Sequence, residues 1–150
     1  ALGSRVIMPG YVTAEEMLDC ILSSPIYVDL SSRSTGLEPS LIEAMAQKKV
    51  VIGSELSPIS EIIQDGQDGF LVRPADVQTL SALLDKLING HEINTEQMGE
   101  KARHKVVDVF NRQKMIDSLI NAYSHILLNS GRFKRRATSK SFFSKPVTPV

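Results

Sequence analysis

Residues Gly36 to Ala46 read Gly-Leu-Glu-Pro-Ser-Leu-Ile-Glu-Ala-Met-Ala, a glycine-marked loop entering a short helix that carries one carboxylate, Glu43, little more than a turn from its start. The first amides of a helix have no intrahelical partner and lie at the positive end of its dipole, so such a start suits a diphosphate. A carboxylate further in is an acceptor and suits a sugar hydroxyl instead. The preceding loop adds Ser31, Ser32, Arg33, Ser34, Thr35 and Glu38, more hydrogen-bonding capacity than a plain connection requires. On the residues alone, Glu43 fits a ligand contact and a solvated helix face equally well.

Other candidate chemistry is weaker. Glu61 and the run Asp65-Gly-Gln-Asp-Gly69 alternate acids with glycines, but an EF-hand needs ligands at alternate positions over about twelve residues with a terminal glutamate. Asp65 and Asp68 are therefore expected to be turn residues. Neither a Gly-x-Gly-x-x-Gly fingerprint nor a Gly-Lys-Ser/Thr phosphate loop is present. His91, His104 and His125 have no second ligand at metal spacing and are expected on the surface, and no serine is singled out as a nucleophile. Cys20, the single cysteine, sits among Leu18, Ile21 and Leu22 and is expected to be a buried structural residue. No metal and no cofactor are expected.

The elements that would hold the motif follow from periodicity. Arg5 to Met8 predicts a strand ended by Pro9-Gly10, and Thr13 with Glu16 predicts a capping box before Met17, Leu18, Ile21 and Leu22. Ile26 to Leu30 predicts a second strand, Pro39 opens a helix with Leu41, Ile42 and Met45 facing the core, and Val50 to Gly53 predicts a third strand. A short helix over Pro58 to Ile63, a turn at Asp65 to Gly69 and a strand at Phe70 to Val72 follow. From Asp76 the pattern becomes helical, with Leu80, Leu83, Leu84, Leu87 and Ile88 as one stripe closed by Gly90, then helices near Met98 to Phe110 and Met115 to Leu128. Short apolar strands alternating with helices predict a doubly wound parallel α/β sheet, whose ligands lie outside the carboxyl ends of its strands.

The chain has 150 residues, 42% of them hydrophobic, and 17 basic against 17 acidic residues. That is the size of one domain with a real core. From Gly131 onward there are six bases (Arg132, Lys134, Arg135, Arg136, Lys140, Lys145) and no acids, which leaves residues 1–130 with a net charge of −6. The expected division is a folded body over 1–130 and a basic, disordered tail over 131–150. An anionic membrane surface is the partner such a tail would suit, and no nucleic-acid partner is expected. A lone cysteine fits a reducing compartment, and a cytoplasmic location is expected.

The run from Arg5 to about Leu128, over four fifths of the chain, resembles the second half of the C-terminal, donor-binding domain of the retaining GT-B glycosyltransferases known as glycosyl transferases group 1. Arg5-Val-Ile-Met-Pro-Gly-Tyr-Val12 with Thr13-Ala-Glu-Glu-Met17 is similar to the family's strand, Gly-Tyr turn and helix. Gly36 to Ala46 resembles its signature ending in Leu-Leu-Glu-Ala-Met-Ala, and Val50 to Ser54, Ile59 to Ile63 and Asp65 to Val72 follow in the family's order.

The resemblance implies a Rossmann-like half of a GT-B fold with C-terminal helices, and transfer of a hexose from a nucleoside diphosphate sugar without metal and with retention. It implies donor contacts at Thr35, Gly36, Leu37, Glu38 and Glu43, with Glu43 holding the ribose hydroxyls and Tyr11 and Val12 near the base. The first of the family's two motif glutamates falls on Thr35, which carries no charge, so Glu38 substitutes, sugar recognition differs, or the protein is inactive. The family's phosphate-binding Arg and Lys and its acceptor-binding domain would lie upstream. No transfer by the 150 residues alone is expected. The competing class is a degenerate, non-catalytic nucleotide-binding or protein-interaction domain.

Overall fold

A computed structural model describes residues 6–33, 36–90 and 92–129 of the chain. The order is α1 (Ala14–Ser23), β1 (Ile26–Asp29), α2 (Pro39–Ala46), β2 (Val50–Ser54), α3 (Ile59–Ile62), β3 (Phe70–Val72), α4 (Val77–Asn89), α5 (Thr95–Val109) and α6 (Arg112–Asn129). The chain falls into two compact units, Ala1–Val109 and Phe110–Val150. The second holds α6, whose Met115, Leu119, Ile120 and Tyr123 are exposed.

Among the described residues three parallel strands form the sheet, in the order β1-β2-β3, with Ile26 opposite Val50, Asp29 opposite Gly53 and Ile52 opposite Phe70. The central strand is buried at all five positions, as a parallel strand covered by helices must be. With Val51 of that strand, Leu41, Met45, Ile59, Ile63 and Ala102 close the core, with α2 and α5 packed on each other and both touching β2.

Local signals explain most boundaries. Thr13 and Glu16 form the full capping box: the Thr13 hydroxyl accepts from the Glu16 amide at 3.3 Å, and Glu16 accepts from the Thr13 amide at 2.8 Å. Pro39 opens α2 and Asp76 caps α4 through the Thr79 amide at 3.0 Å. Gly66 takes a positive φ of 70°, whereas Gly69 is needed for closeness: a Cβ there would lie 2.6 Å from Val51 Cγ2. Asp65 and Asp68 are turn residues as expected, Asp65 accepting from the Leu71 amide at 2.9 Å and Asp68 from the Gln64 amide at 2.7 Å.

Three expectations are corrected. Val6 to Met8 are not in a strand and are exposed, because an apolar run becomes a strand only against a neighbour and no described strand pairs with it. Cys20 is exposed rather than buried. In α1 only Ile21 is buried, while Leu18 and Leu22 stay 37% and 48% exposed, because among the described elements α1 packs chiefly on α2 along the Ile21 line. The stripe of α4 is likewise half covered, with Ile88 exposed at 69% and no residue of the helix fully buried. His104 and His125 are on the surface; His91 and the tail from 130 onward lie outside the described residues.

Candidate donor site

The carboxyl ends of the strands all point one way in a parallel sheet, and the loop leaving β1 there is the one that carries the motif. Gly36 adopts φ 111°, a conformation that side-chain-bearing residues rarely take, so glycine at this point is a backbone requirement of the turn into α2. Leu37 packs against the core and anchors the loop from below. Glu38 is the N-cap residue of α2, and its exposed carboxylate makes no side-chain cap bond. Glu43 is exposed on the next turn, between the buried Leu41 and the buried Ala44 and Met45. Thr35 and Ser34 lie outside the described residues.

The start of α2 offers fewer amides than a generic helix. Pro39 has no N–H, and the Leu41 amide donates to the Glu38 carbonyl at 3.1 Å. Sequence reasoning from the helix dipole therefore overstates how much of an anion this end alone can hold.

Electrostatics point the same way. On β1 the half-buried Tyr27 phenol shares a 2.7 Å hydrogen bond with Ser40 in the first turn of α2. Burial pushes the phenol's pKa up, the Ser40 bond draws it down, and the carboxylates of Asp29, Glu38 and Glu43 raise it further. Three acids thus surround the mouth of the motif, and Arg33, exposed in the loop, is the base that segment 26–47 supplies. A diphosphate here needs cations from elsewhere, whereas hydroxyl groups meet acceptors at once.

Tyr11 and Val12 are not built into the motif: Tyr11 is 99% exposed, and Val12 lies just ahead of the α1 cap. A small cavity of about 90 Å³ opens at the same carboxyl edge, walled by Ser31, Ser32, Ser54, Val72 and the first turn of α4 at Val77 and Leu80. None of the residues expected to bind a donor lines it. Sequence reasoning missed Asp29, the last residue of β1, which is 9% exposed, accepts from the Ser31 hydroxyl at 3.3 Å through Oδ1 and has no partner for Oδ2 among the described residues. The available signal was a single acid closing an otherwise apolar strand.

What fixes the motif in place is α5. Arg103 donates to the Ala46 carbonyl at the end of α2, Lys48 pairs with Glu100 at 2.5 Å, and Gly99 lies so close to the Lys48 carbonyl that a Cβ would overlap it. Glu43 is thereby carried on a helix held at its C-terminal end.

The family model described as glycosyl transferases group 1 matches residues 1–105. The chain belongs to that family. It is 28% identical over 121 residues to the MMP alpha-(1->4)-mannosyltransferase of Mycolicibacterium hassiacum, covering 80% of this chain and 29% of the relative. It is 23% identical over 124 residues to the poly(ribitol-phosphate) alpha-N-acetylglucosaminyltransferase of Staphylococcus aureus, covering 82% and 24%. Among solved structures it is similar to HepE of Anabaena in complex with UDP and glucose, with a TM-score of 0.74 and 18% identity over 83% of this chain and 33% of that one. The fold is thus Rossmann-like α/β, as in GT-B glycosyltransferases. The chain spans about a quarter to a third of the length of the curated relatives it matches.

Proposed function

We infer that this group 1 chain is the nucleotide-sugar-binding part of a hexosyltransferase, which takes a sugar from a nucleoside diphosphate donor, without metal and with retention, once an acceptor-binding domain completes it. The observation that carries the reading is the family match over residues 1–105 together with the place of its signature, a positive-φ Gly36 turning from the carboxyl end of β1 into the helix of Glu43. The relatives' names include mannosyl and N-acetylglucosaminyl transfer, and similar structures hold UDP and UDP-glucose. In this reading Glu43 accepts the ribose hydroxyls, Gly36 and Leu37 shape the sugar and phosphate loop, and Glu38 takes over the acid's place from Thr35. Tyr11 and Val12 flank the base.

The chemistry follows from the charges. A carboxylate accepts from neutral hydroxyls and orients them; it does nothing for a departing diphosphate, which needs positive charge aimed at it. This segment therefore contributes donor alignment, and stabilisation of the leaving group comes from cations upstream. The basic residues beyond Gly131 are assigned to an anionic membrane surface on composition alone.

Glu43→Ala in the complete enzyme is expected to weaken donor binding by about 2 to 3 kcal/mol, the loss of a hydrogen bond to a charged acceptor. Calorimetric titration with the donor measures it, and unchanged affinity would remove Glu43 from the site. The competing non-catalytic reading draws its support from Thr35; it would be favoured by a chain in which Glu43 and its neighbours respond to no nucleotide.

A further inference from the structure

Asp29 is a carboxylate that the fold buries and leaves half satisfied. It closes β1 at 9% exposure, its Oδ1 accepts from the Ser31 hydroxyl at 3.3 Å, and its buried Oδ2 has no hydrogen-bond partner among the described residues. Burial of a charged oxygen without a partner is costly, and a ligand hydroxyl would remove that cost. The packing does not demand an acid there, since the preceding residues of the strand, Ile26, Tyr27 and Val28, are apolar or aromatic.

Its position is specific. It ends a strand at the edge of a parallel sheet where ligands bind. It lies two residues from Tyr27 and so on the same face of β1, the face from which Tyr27 reaches Ser40 in the first turn of α2. Asp29 is thus on the side of the sheet that carries Gly36 and Glu43. Its hydrogen-bond partner Ser31 also lines the small cavity at this edge, beside Ser32 and Ser54 in a wall that is otherwise mostly apolar, from Leu30, Val72, Val77 and Leu80.

Resting on the donor-domain reading, the geometry points to Asp29 as a sugar-hydroxyl acceptor of this site: Oδ2 takes a hydrogen bond from a hydroxyl of the donor's hexose while Ser31 holds Oδ1. The group it meets is a neutral hydroxyl, because Asp29, Glu38 and Glu43 all act with negative charge on Tyr27 of the same strand. A metal ion is disfavoured by the surroundings, since no group of three acidic, histidine or cysteine ligands occurs among the described residues.

The test compares the 150-residue chain with Asp29→Leu and Asp29→Asn. Each is titrated by NMR up to millimolar concentrations with UDP, UDP-glucose, UDP-N-acetylglucosamine, GDP and GDP-mannose, and each is melted without ligand. The expected pattern is threefold. Asp29→Leu melts at a higher temperature than the parent, because a half-satisfied buried charge is gone. It binds the free nucleotides unchanged. It binds the preferred sugar conjugate about tenfold more weakly, the scale of one hydrogen bond to a charged acceptor, with Asp29→Asn in between.

A lower melting temperature with an unchanged difference between nucleotide and conjugate makes Asp29 a structural residue and overturns the inference alone. If the parent binds none of the five compounds, the donor-domain reading falls and this inference with it.

Discussion

The buried carboxylates of Asp29 and Asp68 behave in opposite ways, Asp29 leaving Oδ2 without a partner among the described residues. Asp68, 3% exposed, is fully engaged: Oδ1 accepts from the Gln64 amide, and Oδ2 pairs with Lys105, whose ammonium also donates to the Ile62 carbonyl at 2.8 Å. Lys105→Met should therefore strand a buried charge and cost about 3 kcal/mol in denaturant unfolding, and adding Asp68→Leu should recover part of it. A Lys105→Met change without measurable cost would show that the pair is solvated. Tyr27 gives a pH prediction. Its folded pKa is raised by burial, with Asp29, Glu38 and Glu43 adding to the shift, so the folded state holds the phenolic proton more tightly than the unfolded chain. The corresponding stability is present below the ordinary tyrosine range near pH 10 and is lost as pH rises through the folded value. Unfolding free energy measured from pH 8 upward should fall less steeply in Tyr27→Phe than in the parent. The pairing of Asp68 with Lys105 was not legible in advance, because a lysine on α5 and an aspartate in a turn are 37 residues apart in sequence. The exposed place of Glu43 on α2 was legible because Leu41 and Met45 mark the buried face of that helix.

Among the elements, capping and strand signals placed α1, β1, α2, β2 and α4 closely, since each is decided by residues within a few positions of its ends. The run at Val6 to Met8 failed for a physical reason: a parallel strand depends on a distant neighbour, and apolar composition cannot say whether one is there. Exposure of Cys20 has the same origin, a helix face whose cover is not among the described elements. The clamp between α5 and α2 is long-range too, and it makes a prediction. Gly99→Ala would drive a methyl into the Lys48 carbonyl, so α5 must move off the end of α2. The expected cost is about 1 to 3 kcal/mol, the usual penalty for overpacking, accompanied by weaker donor binding because Glu43 rides on α2. Thermal melts and donor titration of this variant read both effects; an unaltered melting temperature would mean that the contact is slack.

On the scale of the whole molecule, segment 26–47 sets Asp29, Glu38 and Glu43 against the single base Arg33, and the chain spans only a quarter to a third of its relatives. Transfer requires donor, acceptor and leaving-group stabilisation in one cleft. The 150 residues alone are therefore expected to release no sugar from UDP-glucose, UDP-N-acetylglucosamine or GDP-mannose in a coupled assay for free nucleotide; sustained turnover would refute the division of labour proposed here. The central claim, that the loop from Gly36 to Glu43 receives a nucleotide sugar, is tested most directly by NMR titration of the labelled chain with nucleoside diphosphates and their sugar conjugates. The account predicts saturable shifts at Gly36, Leu37 and Glu43 that disappear in Glu43→Ala. Shifts confined to other parts of the chain, or none with any base, would contradict it.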